Sequence, residues 1–171
     1  MNKIYKKNRF SITYLYKILT IISLLILTNC SSLNRGERKE RISKNFTLSE
    51  ALKNDGPVDD DIYENILYTA SRMEEVRTFL DSQLLVTSWY RNPSHNSKGG
   101  GARNSAHTKG LAVDFRAANA RDQRIIFNKI VKSKLSYDVI IYYKKQNLIH
   151  LGFKPKGELE CEQQLIMTRE Y

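Results

Sequence analysis

Cysteine is nearly absent from this chain: Cys30 and Cys161 are the only two, too few for a disulfide framework to replace a hydrophobic core. Long apolar runs are missing as well. The longest, Ile18 to Thr28, covers eleven residues with Ser23 and two threonines inside it, whereas a membrane-spanning helix needs about 20. There is no internal repeat, and no acidic residue precedes Cys30. The net charge of +10 therefore gathers partly at the N-terminus, in Lys3, Lys6, Lys7, Arg9 and Lys17. From Cys30 onward 23 basic residues face 18 acidic ones, a balance of +5. With no basic helix and no RNA-binding aromatic signature, that remainder does not predict a nucleic-acid partner. It suits an anionic cell wall or membrane surface. What is present, 41% hydrophobic and 27% charged residues in 171, fits one globular domain.

A basic stretch ending at Lys17 followed by the short apolar run reads as an export signal over residues 1–29. Leu27-Thr28-Asn29-Cys30-Ser31-Ser32 resembles a bacterial lipoprotein processing site, with Asn29 where Gly, Ala or Ser is usual. The expectation is an exported, membrane-anchored protein lipidated at Cys30, facing the periplasm or cell surface; the alternative is an uncleaved signal anchor. Cys161 then has no partner and reads as a small hydrophobe. Residues 30–45 form the lipidated cysteine and a polar linker, and 46–171 the folded domain.

Thr47 three residues before Glu50 predicts a capped helix over Phe46–Leu52, stopped by Gly56-Pro57. Asp59-Asp60-Asp61 supplies carboxylates to the start of a longer helix, whose apolar positions Ile62, Ile66, Ala70, Met73, Val76 and Leu80 make one stripe. Leu84–Tyr90 reads as a strand entering a loop over Arg91–Asn96, with Gly99-Gly100-Gly101 beyond. Asn119 is the expected cap of a helix running to Leu135. Two strands follow, Asp138–Tyr143 and Leu148–Phe153, joined by Lys144-Lys145-Gln146-Asn147. No element is assigned after Gly157.

Ser105-Ala106-His107-Thr108-Lys109-Gly110-Leu111-Ala112-Val113-Asp114, with His150 much later, offers two imidazoles and a carboxylate. Three such ligands with a fourth position left for water form the arrangement of catalytic zinc, which polarises a carbonyl and acidifies water. Alternation puts Leu111, Val113 and Phe115 toward a core and Asp114 on the other face beside Ala112. In the second strand Ile149, Leu151 and Phe153 are apolar, while His150 projects opposite beside Gly152. Taken alone, His150 also fits a satisfied structural histidine.

Ser-x-His followed by Gly-x-Ala-x-Asp, preceded by Thr-Ser-x-Tyr-Arg and a Gly-Gly loop and followed by a strand with a histidine, resembles the zinc D-alanyl-D-alanine carboxypeptidases and phage L-alanyl-D-glutamate endolysins. The likeness covers about residues 46 to 154. It implies an α+β fold shared with the Hedgehog signalling domain, with a small antiparallel sheet carrying a zinc site and packed against helices. It also implies a zinc peptidase cutting peptidoglycan stem peptides, with zinc on His107, Asp114 and His150. By the same resemblance Arg91 faces the substrate, with a loop cation packed on Tyr90 as the alternative, and Ser105 hydrogen-bonds nearby. His95 reads as a loop residue.

The resemblance breaks at one position. The family's general-base glutamate falls at Tyr143, or at Tyr142 if the turn is counted differently, and no acidic residue lies between Asp138 and His150. A phenol with a pKa near 10 is a poor base at neutral pH, though it can hydrogen-bond a developing oxyanion. Glu158, Glu160 and Glu162 are the other carboxylates placed to fold back. Trp89 stands where the family usually has glycine, expected to narrow the cleft or offer a stacking surface. Three readings remain: a zinc-dependent carboxypeptidase or endopeptidase; a non-catalytic zinc-containing cell-wall-binding lipoprotein that has lost its base; and a structural lipoprotein in which the motif is incidental.

Overall fold

The computed structural model describes residues 40–53, 55–158 and 165–170. The expected signal segment, Cys30, Cys161, Glu160 and Glu162 lie outside the described residues. Five strands form one sheet: β1 (Leu84–Ser88), β2 (Ala112–Ala117), β3 (Val139–Tyr143), β4 (Leu148–Gly152) and β5 (Leu165–Arg169), in the order β1-β2-β4-β3-β5. The α+β class is as expected, but the sheet is mixed. β1, β2, β4 and β3 pair antiparallel, whereas β5 adds parallel to β3 at the edge. Leu165-Ile166-Met167-Thr168-Arg169 thus forms a strand in the tail to which the sequence reading gave no element.

Period-two alternation divides the sheet into two unlike faces. Val113, Phe115, Ile140, Tyr142, Ile149 and Leu151 point into the core. Helix α1 (Leu48–Leu52), helix α2 (Asp60–Leu80) and helix α4 (Gln123–Val131) supply the rest of that core: Ala51, then Ile66, Ala70, Met73, Val76 and Leu80, then Ile126, Phe127 and Ile130. The opposite face carries Asp114, Val139, Ile141, Tyr143, Leu148 and His150, which line an open groove. One face is spent on stability, which leaves the other for chemistry.

The helix starts follow their caps. Thr47 and Glu50 form the expected capping box, although the helix begins at Leu48 rather than Phe46. Asp59 accepts the Ile62 N–H at 2.9 Å, so the acidic triplet serves the helix N-terminus. Asn119 is not a cap: its side chain donates to the Leu80 carbonyl at 3.2 Å, and Asp122 caps α4, which ends at Val131 rather than Leu135. A short helix α3 (Pro93–Lys98), capped by Asn92, occupies what was expected to be loop.

Contacts begin ahead of Phe46. Glu74 on α2 accepts from Ser43 Oγ at 2.7 Å, from the Asn45 N–H at 2.6 Å and from Asn45 Nδ2 at 2.6 Å. Burial alone would raise the Glu74 pKa, but these bonds, helped by Arg77, reverse the sign and hold it below its ordinary value. Replacing Glu74 by alanine is expected to cost about 1–2 kcal/mol, as charge-assisted bonds at a partly exposed site do. Because the folded pKa is depressed, the deficit should be complete above about pH 4.5 and shrink as pH falls through the folded value. Urea denaturation of wild type and Glu74→Ala across pH 3 to 7 reads this directly; a deficit that grew on acidification would contradict it.

Candidate metal centre

Sheet register brings two distant candidate ligand residues together. Asp114 on β2 and His150 on β4 are direct cross-strand partners, and such pairs stand about 5 Å apart at Cβ. The third residue arrives from a 3₁₀ turn, Ala106–Lys109, that leads straight into β2. Ser105 caps this turn, its hydroxyl accepting the His107 N–H at 3.3 Å. Gly110 ends it at φ +72, where an added Cβ would lie 2.8 Å from Ile66 Cγ1 and 3.1 Å from the Ile62 carbonyl. Glycine is required here both for the left-handed backbone and for close packing on α2.

The atoms meet in a small triangle. His107 Nε2 lies 3.2 Å from Asp114 Oδ1 and 3.1 Å from His150 Nδ1, and His150 Nδ1 lies 2.8 Å from Asp114 Oδ1. All three residues are buried, and their candidate ligand atoms are within 4.8 Å of one another. Tetrahedral zinc, with bonds of about 2.0–2.1 Å, needs ligand atoms about 3.3 Å apart. The observed edges reach that spacing with shifts of a few tenths of an ångström.

The protonation pattern fits a cation as well. His107 Nδ1 sits 2.6 Å from the Trp89 carbonyl oxygen, which can only accept, so the proton of the neutral ring belongs on Nδ1 and Nε2 turns a lone pair inward. Burial lowers the pKa of His150, with the charge of Arg91 acting the same way against the opposing pull of Asp114. For Asp114, burial alone would raise the pKa; hydrogen bonds and charge from His107 and His150 outweigh it and hold the group well below the carboxylate range. A His150 ring pushed toward its neutral form beside an ionised carboxylate suits metal binding.

Arg91 is drawn into this group. Its guanidinium pairs with Asp114 Oδ2, its Nε donates to Ser88 Oγ at 2.7 Å, and its backbone N–H donates to the His107 carbonyl at 3.2 Å. Asp114 therefore offers Oδ1 to the histidines and Oδ2 to the arginine. β1 ends at Ser88, two residues short of the expected Leu84–Tyr90 strand, and a bulge between Val86 and Ser88 leaves Ser88 beside Asp114. Bulges next to functional sites re-aim side chains in this way.

A groove of about 480 Å³ runs over the triangle. Arg91, Gly99, Gly100, Gly101 and Ser105 line one side, and Ile141, Tyr143, Gln146 and Arg169 the other. Tyr143 is the strand-end tyrosine on this face. Tyr142 points into the core, packs near Phe127 and donates to Asn147 Oδ1 at 3.2 Å, so it does not take the glutamate's place. Glu158 is exposed and absent from the lining; among the described lining residues Asp114 is the only carboxylate.

Two further residues take positions of their own. His95 lies on α3 and contacts Asp55 Oδ2 at 2.8 Å, apart from the triangle. Trp89 does not narrow the cleft. It is 1% exposed, packs edge-on to Phe46 and donates its indole N–H to the Gly110 carbonyl at 3.1 Å. The sequence offers no sign of the Trp89 carbonyl's hold on His107, because main-chain acceptors have no residue code. Arg169 was within reach of sequence reading, at the end of an apolar run with β character.

Trp89→Phe should lower stability by about 1–3 kcal/mol, since it leaves the Gly110 carbonyl without its donor in a buried setting. Thermal unfolding measures this. A variant of unchanged stability but altered peptide binding would return Trp89 to the cleft.

A comparison with curated proteins finds no match. Residues 43–152 match the family described as Peptidase M15. That span contains His107, Asp114 and His150 and every strand but β5. The chain belongs to the peptidase M15 family, a family of zinc peptidases.

Proposed function

We propose that this protein is a zinc-dependent peptidase acting on peptidoglycan stem peptides, as a carboxypeptidase or an endopeptidase, with His107, Asp114 and His150 as the metal ligands. The observation that carries this reading is the inward-facing triangle of Nε2, Oδ1 and Nδ1, three buried donor atoms with edges of 2.8–3.2 Å that come within a few tenths of an ångström of the spacing around one small cation. Zinc, when bound, supplies Lewis acidity toward a scissile carbonyl and makes water a stronger acid.

The chain's own residues do the positioning. Trp89 fixes the tautomer of His107 through its carbonyl. Arg91 holds Oδ2 of Asp114, so that Oδ1 keeps its aim at the histidines, and it lies at the groove wall where substrate passes. Ser105 keeps the 3₁₀ turn in shape and stands on the same wall as a polar contact for the peptide. Tyr143 brings a phenol to the face that holds His150. As a neutral donor it can stabilise charge growing on a carbonyl oxygen, which makes it the catalytic candidate in place of a glutamate.

The lack of a second carboxylate among the described lining residues favours one other reading: a zinc-containing lipoprotein that binds cell-wall peptide without cutting it. Loss of a general base costs about 10²- to 10⁴-fold in rate. Full-length protein in detergent is expected to hold one zinc per chain and to release new amino groups from purified peptidoglycan, with both properties lost in His107→Ala. Stoichiometric zinc without cleavage of any stem-peptide chemistry would replace the hydrolase by the binder. In that case Tyr143→Glu should create activity, and a silent variant would count against a missing base as the cause.

We place the protein outside the cytoplasm, tethered through lipid on Cys30, from the signal-like N-terminal sequence and the serine-rich stretch after it. Peptidoglycan peptide and the membrane are the partners this implies. Mass spectrometry of the detergent-extracted protein should find an N-terminus that begins at a lipid-modified Cys30; an intact N-terminus that still carries residues 1–29 would mean an uncleaved anchor instead.

A further inference from the structure

One wall of the groove comes from a single excursion of the chain, residues 91–107. Its ends are tied, the Arg91 N–H donating to the His107 carbonyl, and between them lie α3 and the segment that supplies Gly99, Gly100, Gly101, Ala102 and Ser105 to the groove. Three glycines in a row have no side chains to pack, so a fixed rim here must be held from elsewhere. Asn96 is placed to hold it. It is 3% exposed although it sits on a helix of six residues, and an asparagine is rarely that deep unless it is bonded. Its Nδ2 donates to the Ala102 carbonyl at 2.9 Å, and the same carbonyl accepts the Ser105 N–H at 3.1 Å. The main-chain carbonyl of Asn96 accepts the Gly101 N–H at 2.9 Å. One residue thus grips the rim at Gly101 and at Ala102, and through Ala102 it reaches Ser105, the cap of the His107 turn. Asn96 Oδ1 is buried without a hydrogen-bond partner among the described residues, so the amide is held by its donor side.

Gly101 shows how close this grip is. A Cβ added there would collide with Asn96 Oδ1 and lie 2.7 Å from its Cγ and 2.9 Å from its Nδ2. Gly100 needs glycine for its left-handed backbone, at φ +70, but Gly101 is not left-handed. Glycine at 101 therefore answers to the asparagine packed against it rather than to the backbone.

We propose that Asn96 is a positioning residue: it sets where the rim of residues 99–105 stands, and so how tightly the groove holds a peptide. The inference rests on the stem-peptide reading above and deepens it. Asn96 does not itself line the groove, so it acts through the main chain of Gly101 and Ala102. A rim ordered in advance spares the incoming peptide the entropy cost of ordering it. His107 is secured separately, by the Trp89 carbonyl at its ring and the Arg91 N–H at its own carbonyl. Loosening the rim therefore leaves the ligand triangle in place.

Three measurements on full-length protein in detergent test this: calorimetric affinity for a synthetic stem pentapeptide, zinc affinity by competition with a chromophoric chelator, and amide hydrogen exchange over residues 99–105. Asn96→Ala should weaken peptide binding about 3- to 10-fold, as the loss of one neutral hydrogen bond does, with zinc affinity unchanged and exchange over the rim faster. Gly101→Ala, which keeps the Asn96 amide but pushes it aside, should do the same. Adding Gly101→Ala to Asn96→Ala should cost little more, because the side-chain atoms it would strike are gone; a double-mutant cycle reads this as strong non-additivity. Strictly additive effects, or peptide affinity at the wild-type level in both single variants, overturn the proposal. So does a fall in zinc affinity that matches the fall in peptide affinity, since Asn96 would then support the whole site rather than its rim. Exchange over 99–105 of wild type at the rate of an unstructured peptide overturns it without any variant. If zinc-loaded wild type binds no stem peptide, the stem-peptide reading falls, and the exchange data on Asn96→Ala still decide whether this residue holds the rim.

Discussion

A carboxylate buried in the middle of a β-sheet carries a desolvation cost that no amount of apolar packing relieves. Asp114, 5% exposed at the centre of β2, is that group here. Around it the chain arranges an arginine on one oxygen and two imidazoles on the other, and each of these partners must itself be held. The Trp89 carbonyl holds His107, Ser88 holds Arg91, and the cross-strand register holds His150. Even the β1 bulge and the left-handed Gly110 serve this arrangement, one by leaving Ser88 beside Asp114 and the other by swinging the chain from the His107 turn into β2.

The division of labour between the two sheet faces follows from the same constraint. Helices cover the face bearing Val113, Phe115, Ile149 and Leu151, so the hydrophobic effect fixes strand register from behind. A one-residue slip of β4 against β2 would bury His150 in that core and expose Ile149 or Leu151 to the groove. Core packing therefore protects the ligand geometry, although no core residue touches the site's open side. The groove itself is lined by the Gly99-Gly100-Gly101 rim and, from the edge strand β5, by Arg169.

Membership of the M15 peptidases accounts for the donor set but leaves the proton-transfer partner to this chain's own sequence. Tyr143 lines the groove on the sheet face that holds His150, and Ile141, directly opposite His150, makes the floor apolar.

Much of this was legible in the linear chain. Alternation around Asp114 and His150 placed both side chains off the core face, the capping box at Thr47 started α1, and the apolar stripe from Ile62 to Leu80 marked α2; each depends on neighbours within one or two turns or strand repeats. Asn119 misled because its side chain bonds back to Leu80, 39 residues away, a partner that no local pattern reveals. Trp89 misled because a large aromatic looks the same in sequence whether it lines a cleft or fills a core. The sequence by itself determined that Asp114 and His150 project from the face opposite the core and that no acidic residue lies between Asp138 and His150, since these follow from residue type and period. Tertiary structure alone decided that Arg91 grips Asp114, that a main-chain carbonyl sets the His107 tautomer, that Tyr143 rather than Tyr142 meets the groove, and that β5 carries Arg169 there. Those are contacts between segments far apart in the chain, fixed by sheet register and packing and so invisible until the strands are paired.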